Sequence, residues 1–341
     1  MAALPGISKS LAALVIIPLA LSACEQPDPA DAGAANPATN ANGLLFPAGC
    51  ELGKDCWIAR YVDHGQNGRA QDYLCGEQSQ TGHKGTDIAI ADMGRMEAGV
   101  SVLATADGKV LRIRDGIRDI SVRRNGAASN DGQECGNGIM IEHSNGDRSQ
   151  YCHVKNGSIR VASGDSVKAG AKIAEIGLSG ETEFPHLHYT LYRDGDVIDP
   201  FDGSKMNDRC DAGGPLLWAN DLPYEALTLF DLRVGTKAPS REKIWQAGTK
   251  TLESSSPAMV ITARAMFTRN GDSWHMQIRN PKGKIAADQK VILDDDKQFY
   301  YHFIGIKRPA GGFMPGIWTG ELTARRGDDT VKKIKVEFRT E

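Results

Sequence analysis

No apolar run in the 341-residue chain is long enough to cross a bilayer, which takes roughly 20 apolar residues as a helix. Charge of one sign is also lacking. The 40 Lys and Arg stand against 43 Asp and Glu, a net charge of -3, whereas a nucleic-acid binder shows a strong basic excess. No nucleic-acid partner is therefore expected. No Cys-x-x-Cys occurs, and the 7 cysteines are irregularly spaced, which argues against a thiolate zinc site. Helical periodicity is scarce. Short alternating runs between turn residues are abundant, with 38 glycines among them, and the length suits two domains better than one.

The chain opens with "MAALPGISKS", carrying one lysine, and then "LAALVIIPLAL". This pattern fits a secretory signal, assigned to residues 1–23. Leu21-Ser22-Ala23-Cys24 resembles the bacterial lipobox. The resemblance implies that Cys24 is lipidated and becomes the mature N-terminus, so that the protein meets the membrane through a lipid anchor at Cys24. It further implies an exported lipoprotein facing the periplasm. Glu25 follows the cysteine, and in enterobacterial lipoproteins a residue other than aspartate there goes with the outer membrane. Residues 24–43, rich in Ala, Pro, Asn and Asp, have almost nothing to bury and read as a disordered tether. Stretched out, that tether reaches roughly 60 Å.

With Cys24 set apart, an even number of cysteines remains, which reads in an exported chain as a disulfide framework with open connectivity. One pairing follows from the pattern. "CGNGIMIEHSNGDRSQYCH" reads as a hairpin turning at Asn145-Gly146, and its arms bring Cys135 near Cys152.

Residues 44–211 read as a mainly antiparallel β domain. "SVLATADGKVLRIRD", "GNGIMIEHS", "RSQYCHV", "AKIAEIG" and "HLHYTLYRDGDVI" each read as a strand flanked by turn residues. Residues 212–224 carry turn signals and read as a linker. Alternating runs return over residues 225–341, such as Met259, Ile261, Ala263 and Ala265, or Trp274, Met276 and Ile278. Their spacing suggests an immunoglobulin-like β-sandwich whose role the sequence leaves open.

Three stretches of the first domain hold histidines. In "FPHLHYTLYRDG", His186 and His188 must share one face of a strand while Leu187, Tyr189 and Leu191 take the other. "GHKGTDIAI" supplies His83 and Asp87, and "YCHV" supplies His153. Singly, each pattern is common on protein surfaces. Together and in this order, over His83 to Pro200, they resemble the lysostaphin-like (LytM-type) zinc metallopeptidases that cut peptidoglycan peptides.

The resemblance implies that His83, Asp87 and His188 bind one Zn2+ per chain, with water in the fourth position. It implies that His153 and His186 flank that water as catalytic groups. Three protein ligands and an open position are what a catalytic zinc wants, and such a centre lowers the pKa of water to roughly 7. One histidine would take the water's proton and the other would steady the oxyanion. The resemblance thus implies an endopeptidase acting on cross-links or stem peptides, with peptidoglycan as substrate and D-alanyl–diaminopimelate bonds as the natural target in a thin wall. A regulatory protein partner would be compatible with this.

Two features depart from the family pattern. Cys152 stands where alanine is usual, and Phe184 stands where glycine is usual, placing a bulky ring beside the cleft. Two rival functions remain. Some domains of this fold have lost zinc ligands and activate cell-wall amidases without cutting, whereas this chain retains all five groups. A structural zinc site would have four protein ligands, often with cysteines. Elsewhere, His64 reads as a surface-loop residue and His143 as making a local hydrogen bond. His275 and His302 lie on second-domain strands without chemistry, and Glu183 is a nearby carboxylate that the family pattern does not need.

Overall fold

The computed structural model describes residues 43–66, 68–125 and 132–341. The expected signal peptide, Cys24 and the expected tether up to residue 42 lie outside the described residues. The described residues pack as a single unit, and none of their helices is long and apolar enough to cross a membrane.

The amino-terminal part runs β1 (Cys56–Arg60), β2 (Thr86–Ile90), α1 (Met93–Ala98), β3 (Ser101–Leu103), β4 (Gly108–Arg114), α2 (Val122–Asn125), β5 (Gly138–His143), β6 (Arg148–Cys152), β7 (Ser166–Val167), β8 (Lys172–Glu175), β9 (His186–Arg193) and β10 (Asp196–Ile198). An 8-stranded sheet has the order β1-β2-β9-β6-β5-β4-β7, with β10 hairpinned onto β9, and β3 pairs β8 in a separate ladder. The pairings in both sheets are antiparallel.

The stretch "SVLATADGKVLRIRD" reads as one strand in the sequence, and the structure divides it between two sheets. At the break, a side chain takes one backbone amide, and a side chain of the stretch caps a neighbouring turn. The Tyr151 hydroxyl accepts from Thr105 N at 2.9 Å, and Asp107 Oδ1 accepts from Ala169 N at 2.8 Å. β9 alternates as its sequence demands. Leu187, Tyr189 and Leu191 are buried in the main core, which leaves His186, His188, Thr190 and Tyr192 for the opposite face. The β5–β6 hairpin turns at Asn145-Gly146, and Cys135 is joined to Cys152. Cys50–Cys56 and Cys75–Cys210 complete the bridges.

The carboxy-terminal part contains β11 (Thr228–Leu229), β12 (Arg233–Gly235), β13 (Thr251–Leu252), β14 (Ala258–Thr268), β15 (Ser273–Arg279), β16 (Ile285–Ile292), β17 (Lys297–Lys307), β18 (Gly316–Arg326) and β19 (Asp329–Thr340). One sheet has the order β11-β14-β12 with β17 also on β14, and the other β13-β19-β18-β15-β16. Ile261 and Ala263 of β14 share a core with Trp274 and Met276 of β15, Leu322 of β18 and Phe338 of β19. Two layers, antiparallel except for the parallel β13–β19 edge pair, bury their inward-facing residues against each other, as a sandwich requires.

The 212–224 stretch is packed. Trp218 is buried against Phe201 and Tyr189, and the Tyr224 hydroxyl donates to Asp72 Oδ2 at 2.8 Å. A third core belongs to both parts at once. Trp57, Ala59, Ala89 and Phe184 pack with Phe230, Ile244, Trp245, Met266 and Phe267. Arg264 is fully buried there, with its guanidinium 4.5 Å from the Trp245 ring centroid and a 2.5 Å ion pair to Asp231. A desolvated cation over an indole contributes about 2 kcal/mol.

Candidate metal centre and its cleft

Adjacent strands and the loop before one of them bring the site together. Asp87 sits on β2 directly opposite His188 on β9, so the alternation that buries Leu187 and Tyr189 turns both towards one face. His83 lies in the loop leading into β2, four residues before Asp87. Gly85 allows the close approach of that loop: a Cβ there would lie 2.4 Å from Tyr189 O and 2.7 Å from His188 Nε2. His153 follows β6 with a φ of 60°, a left-handed backbone that costs a non-glycine residue about 1–3 kcal/mol. Its amide donates to Cys135 O at 2.8 Å, so the Cys135–Cys152 loop helps hold that turn.

One carboxylate oxygen is the hub. Asp87 Oδ1 lies 3.1 Å from His83 Nε2, 2.8 Å from His188 Nδ1 and 3.5 Å from His186 Nε2. The other oxygen, Oδ2, accepts from Arg60 Nη1 at 3.2 Å. The outer nitrogen of each ring is also engaged. His83 Nδ1 donates to Tyr61 O at 2.7 Å, and His188 Nε2 lies 3.1 Å from Thr190 Oγ1. His153 Nδ1 donates to Ser179 O at 2.7 Å and His186 Nδ1 to Phe184 O at 2.9 Å. A carbonyl only accepts, so His83, His153 and His186 carry a proton on Nδ1. In the neutral ring, Nε2 is then a free lone pair.

The donor chemistry fits a cation. Ring nitrogens of His83 and His188 converge on an anionic oxygen, and ligand atoms of His83, Asp87 and His188 all lie within 4.8 Å of one another. Without a cation, the neutral His83 ring turns its Nε2 lone pair towards the carboxylate, because its Nδ1 donates to Tyr61 O. Two imidazoles and one carboxylate form a nitrogen–oxygen set suited to zinc, with room for a further ligand.

The electrostatics agree. Burial pushes the Asp87 carboxyl up, but the imidazoles of His83 and His186 outweigh it and hold Asp87 well below the usual range. Burial lowers His83 while Asp87 raises it, and the net shift is upward. Burial, reinforced by His186 and His188, holds His153 well below the usual imidazole value. The His153 and His186 ring centroids lie 4.6 Å apart, and His153 lies 6.0 Å from His188. The five groups therefore line one cleft, together with Arg60, Thr190, Tyr192 and Phe184.

Other residues that stand out in the sequence fall elsewhere. His64, read as a surface-loop residue, is buried, with Nε2 3.2 Å from Asp199 Oδ2. A run with no apolar periodicity hid that burial. Asp202 lies close to this pair, but its Oδ1 is taken up by Ser204, whose amide and hydroxyl donate to it at 3.0 and 2.6 Å. His143 bonds Ser149 Oγ at 2.9 Å. Glu183 is held by the Arg123 fork at 2.8 and 2.5 Å. Phe184, expected as a bulky ring beside the cleft, lines it next to His186 and is also buried in the shared core, where Trp245 packs against its ring. Sequence reasoning missed Arg60, Gly85 and Thr190. Arg60 carried no local signal, since its partner lies on a strand 27 residues away.

Residues 81–200, which carry all five groups, match the Peptidase family M23 model. Curated relatives include the murein hydrolase activator NlpD of Escherichia coli, 32% identical over 122 residues, or 36% of this chain and 26% of NlpD. They also include the peptidoglycan DD-endopeptidase ShyB of Vibrio cholerae, 36% identical over 109 residues, or 32% of this chain and 20% of ShyB. The match thus spans about a quarter or less of each relative's length. Among solved structures, the catalytic domain of lysostaphin from Staphylococcus simulans is 22% identical over 41% of this chain and 85% of that one, with a TM-score of 0.26.

Proposed function

We propose that the chain is a zinc metalloendopeptidase that hydrolyses peptide cross-links or stem peptides of bacterial peptidoglycan, at D-alanyl–diaminopimelate bonds. The observation that carries this reading is the convergence of five groups on one cleft. His83, Asp87 and His188 would hold one zinc, with His153 and His186 beside them. The chemistry that zinc supplies when bound is Lewis acidity, which polarises a scissile carbonyl and makes water acidic enough to attack near neutral pH.

The chain's own residues do the rest. In their neutral rings, His153 and His186 each present an Nε2 lone pair, because a backbone carbonyl accepts from Nδ1. One takes the proton of the attacking water, and as an imidazolium it can return that proton to the leaving amine. The other, once protonated, steadies the oxyanion. Burial lowers the His153 pKa and so favours its neutral ring. Arg60 holds Asp87 Oδ2, which leaves Oδ1 for the metal.

ShyB's described activity supports cutting, and NlpD's described role supports the alternative of a non-cutting activator of amidases. Retention of every donor and of both flanking histidines favours cutting. Anchoring through Cys24 at the outer membrane would place the cleft beside its polymer. The decisive experiment is chromatography of purified, cross-linked peptidoglycan after incubation with the zinc-loaded protein. Release of monomeric muropeptides is expected. An intact wall, together with stimulated cleavage by added amidase, would replace the reading with the activator role.

A further inference from the structure

The carboxy-terminal sandwich reaches the site through a stack of three rings. The Phe184 ring lies 4.7 Å from the His186 ring at 31°, and on its other contact 4.8 Å from the Trp245 ring at 22°. Phe184 and His186 are also joined through the backbone. The Phe184 carbonyl accepts from His186 Nδ1 at 2.9 Å and from Thr182 Oγ1 at 2.8 Å. The position of this one residue therefore sets both a ring face and the hydrogen bond that fixes the His186 tautomer.

Trp245 is held firmly enough to serve as an abutment. Its carbonyl accepts from Met93 N at 2.9 Å, just after β2. The Ile244 carbonyl accepts from Arg233 Nη1 at 2.6 Å. The Arg264 guanidinium covers the indole, and Phe230 and Phe299 pack against it at 5.3 and 5.4 Å. Residue alternation carries the same point across the sheet. Asp87 and Ala89 share a face of β2, and Ala89, which pairs with His186, lies in the shared core. The sandwich thus covers the continuation of the sheet face that bears the site.

We infer that Trp245 is a positioning residue for His186, acting through Phe184, so that the carboxy-terminal part completes the site rather than merely following it. The inference deepens the peptidase reading and rests on it for its kinetic readout. It also has a readout independent of cleavage.

The variants are Trp245→Ala, Trp245→Phe and Phe184→Leu in the full chain, with Trp245→Leu as an apolar alternative that leaves a smaller cavity should the alanine variant fail to fold. Trp245→Ala, Trp245→Leu and Phe184→Leu are each expected to lower kcat about a hundredfold, the scale of a small misplacement of a catalytic group. KM and one bound zinc per chain are expected to stay unchanged. Trp245→Phe keeps a stacking ring and is expected to retain activity. Combining Trp245→Leu with Phe184→Leu is expected to cost little more than either alone, because both act through one contact.

The second readout is the His186 Nδ1 proton in the zinc-free protein, followed by nitrogen-15 NMR. Its protection from exchange should be lost in Trp245→Leu and kept in Trp245→Phe. Unchanged kcat and an unchanged ring proton in Trp245→Leu would overturn the inference. If the parent chain cuts no wall, the peptidase reading fails, and the ring proton still decides whether Trp245 positions His186.

Discussion

Asp87 concentrates the chemistry in one side chain. Its Oδ1 faces ring nitrogens of His83, His186 and His188, and its Oδ2 meets Arg60. Ligand and flanking histidines should separate cleanly on substitution. His188→Ala is expected to abolish both zinc binding and cleavage. His153→Ala is expected to keep its zinc while activity falls about 10²–10⁴-fold, the usual worth of a general base. Zinc content by atomic emission beside muropeptide release distinguishes the two. Arg60→Gln frees Oδ2 and should lower zinc affinity or activity about 10–100-fold, as loss of an outer hydrogen bond to a metal ligand does. Titration with a competing chelator measures the affinity arm.

Strands and hairpins supply precision that no single side chain has. The β5–β6 hairpin carries His153 at its end, and Cys135–Cys152 closes it over a separation of 17 residues. Replacing both cysteines by serine should cost about 3 kcal/mol of stability in urea unfolding, the loop-closure value for that length. Activity should fall further than stability alone explains, because the His153 amide is bonded to Cys135 O.

The turn of the same hairpin is tied to β9 by the fork of Arg193 on Asp147, at 2.9 and 2.7 Å. Bonding to Arg193 outweighs burial and places the folded pKa of Asp147 below its ordinary value. Its stabilisation is therefore present above about pH 4, the unfolded carboxyl value, and is lost as pH falls through the folded value. Asp147→Asn should flatten the pH dependence of thermal unfolding in that acid window and destabilise the protein at neutral pH. The half-exposed arginine keeps the neutral-pH effect small.

At the scale of the molecule, the shared core makes the two parts interdependent. Trp57 and Phe184 from one side and Phe230 and Trp245 from the other exclude water together. A chain ending at residue 224 would leave Trp57, Ala59, Ala89 and Phe184 facing solvent, an apolar patch beside a sheet edge. Reduced solubility and increased binding of a hydrophobic dye are expected relative to the full chain, measured by centrifugation and fluorescence. A soluble, dye-negative fragment with full activity would show the parts to be independent.

Local pattern was enough for most strands and for the face that His186 and His188 share, whereas the candidate metal set rested on a family resemblance. Alternation in "HLHYTLY" obliges His186 and His188 to share a face, and Asn145-Gly146 between apolar runs obliges a hairpin that draws Cys135 towards Cys152. Such rules act within a few residues, so one chain suffices to read them. The sequence alone was silent on Arg60 beside Asp87, on the burial of His64 against Asp199, and on Trp245 behind Phe184. Each of those contacts joins residues far apart in the chain, and no local periodicity encodes which distant side chain fills a given space. Tertiary packing decided them, because close-packed interiors leave each buried ring or charge only the partners that the folded strands bring within reach.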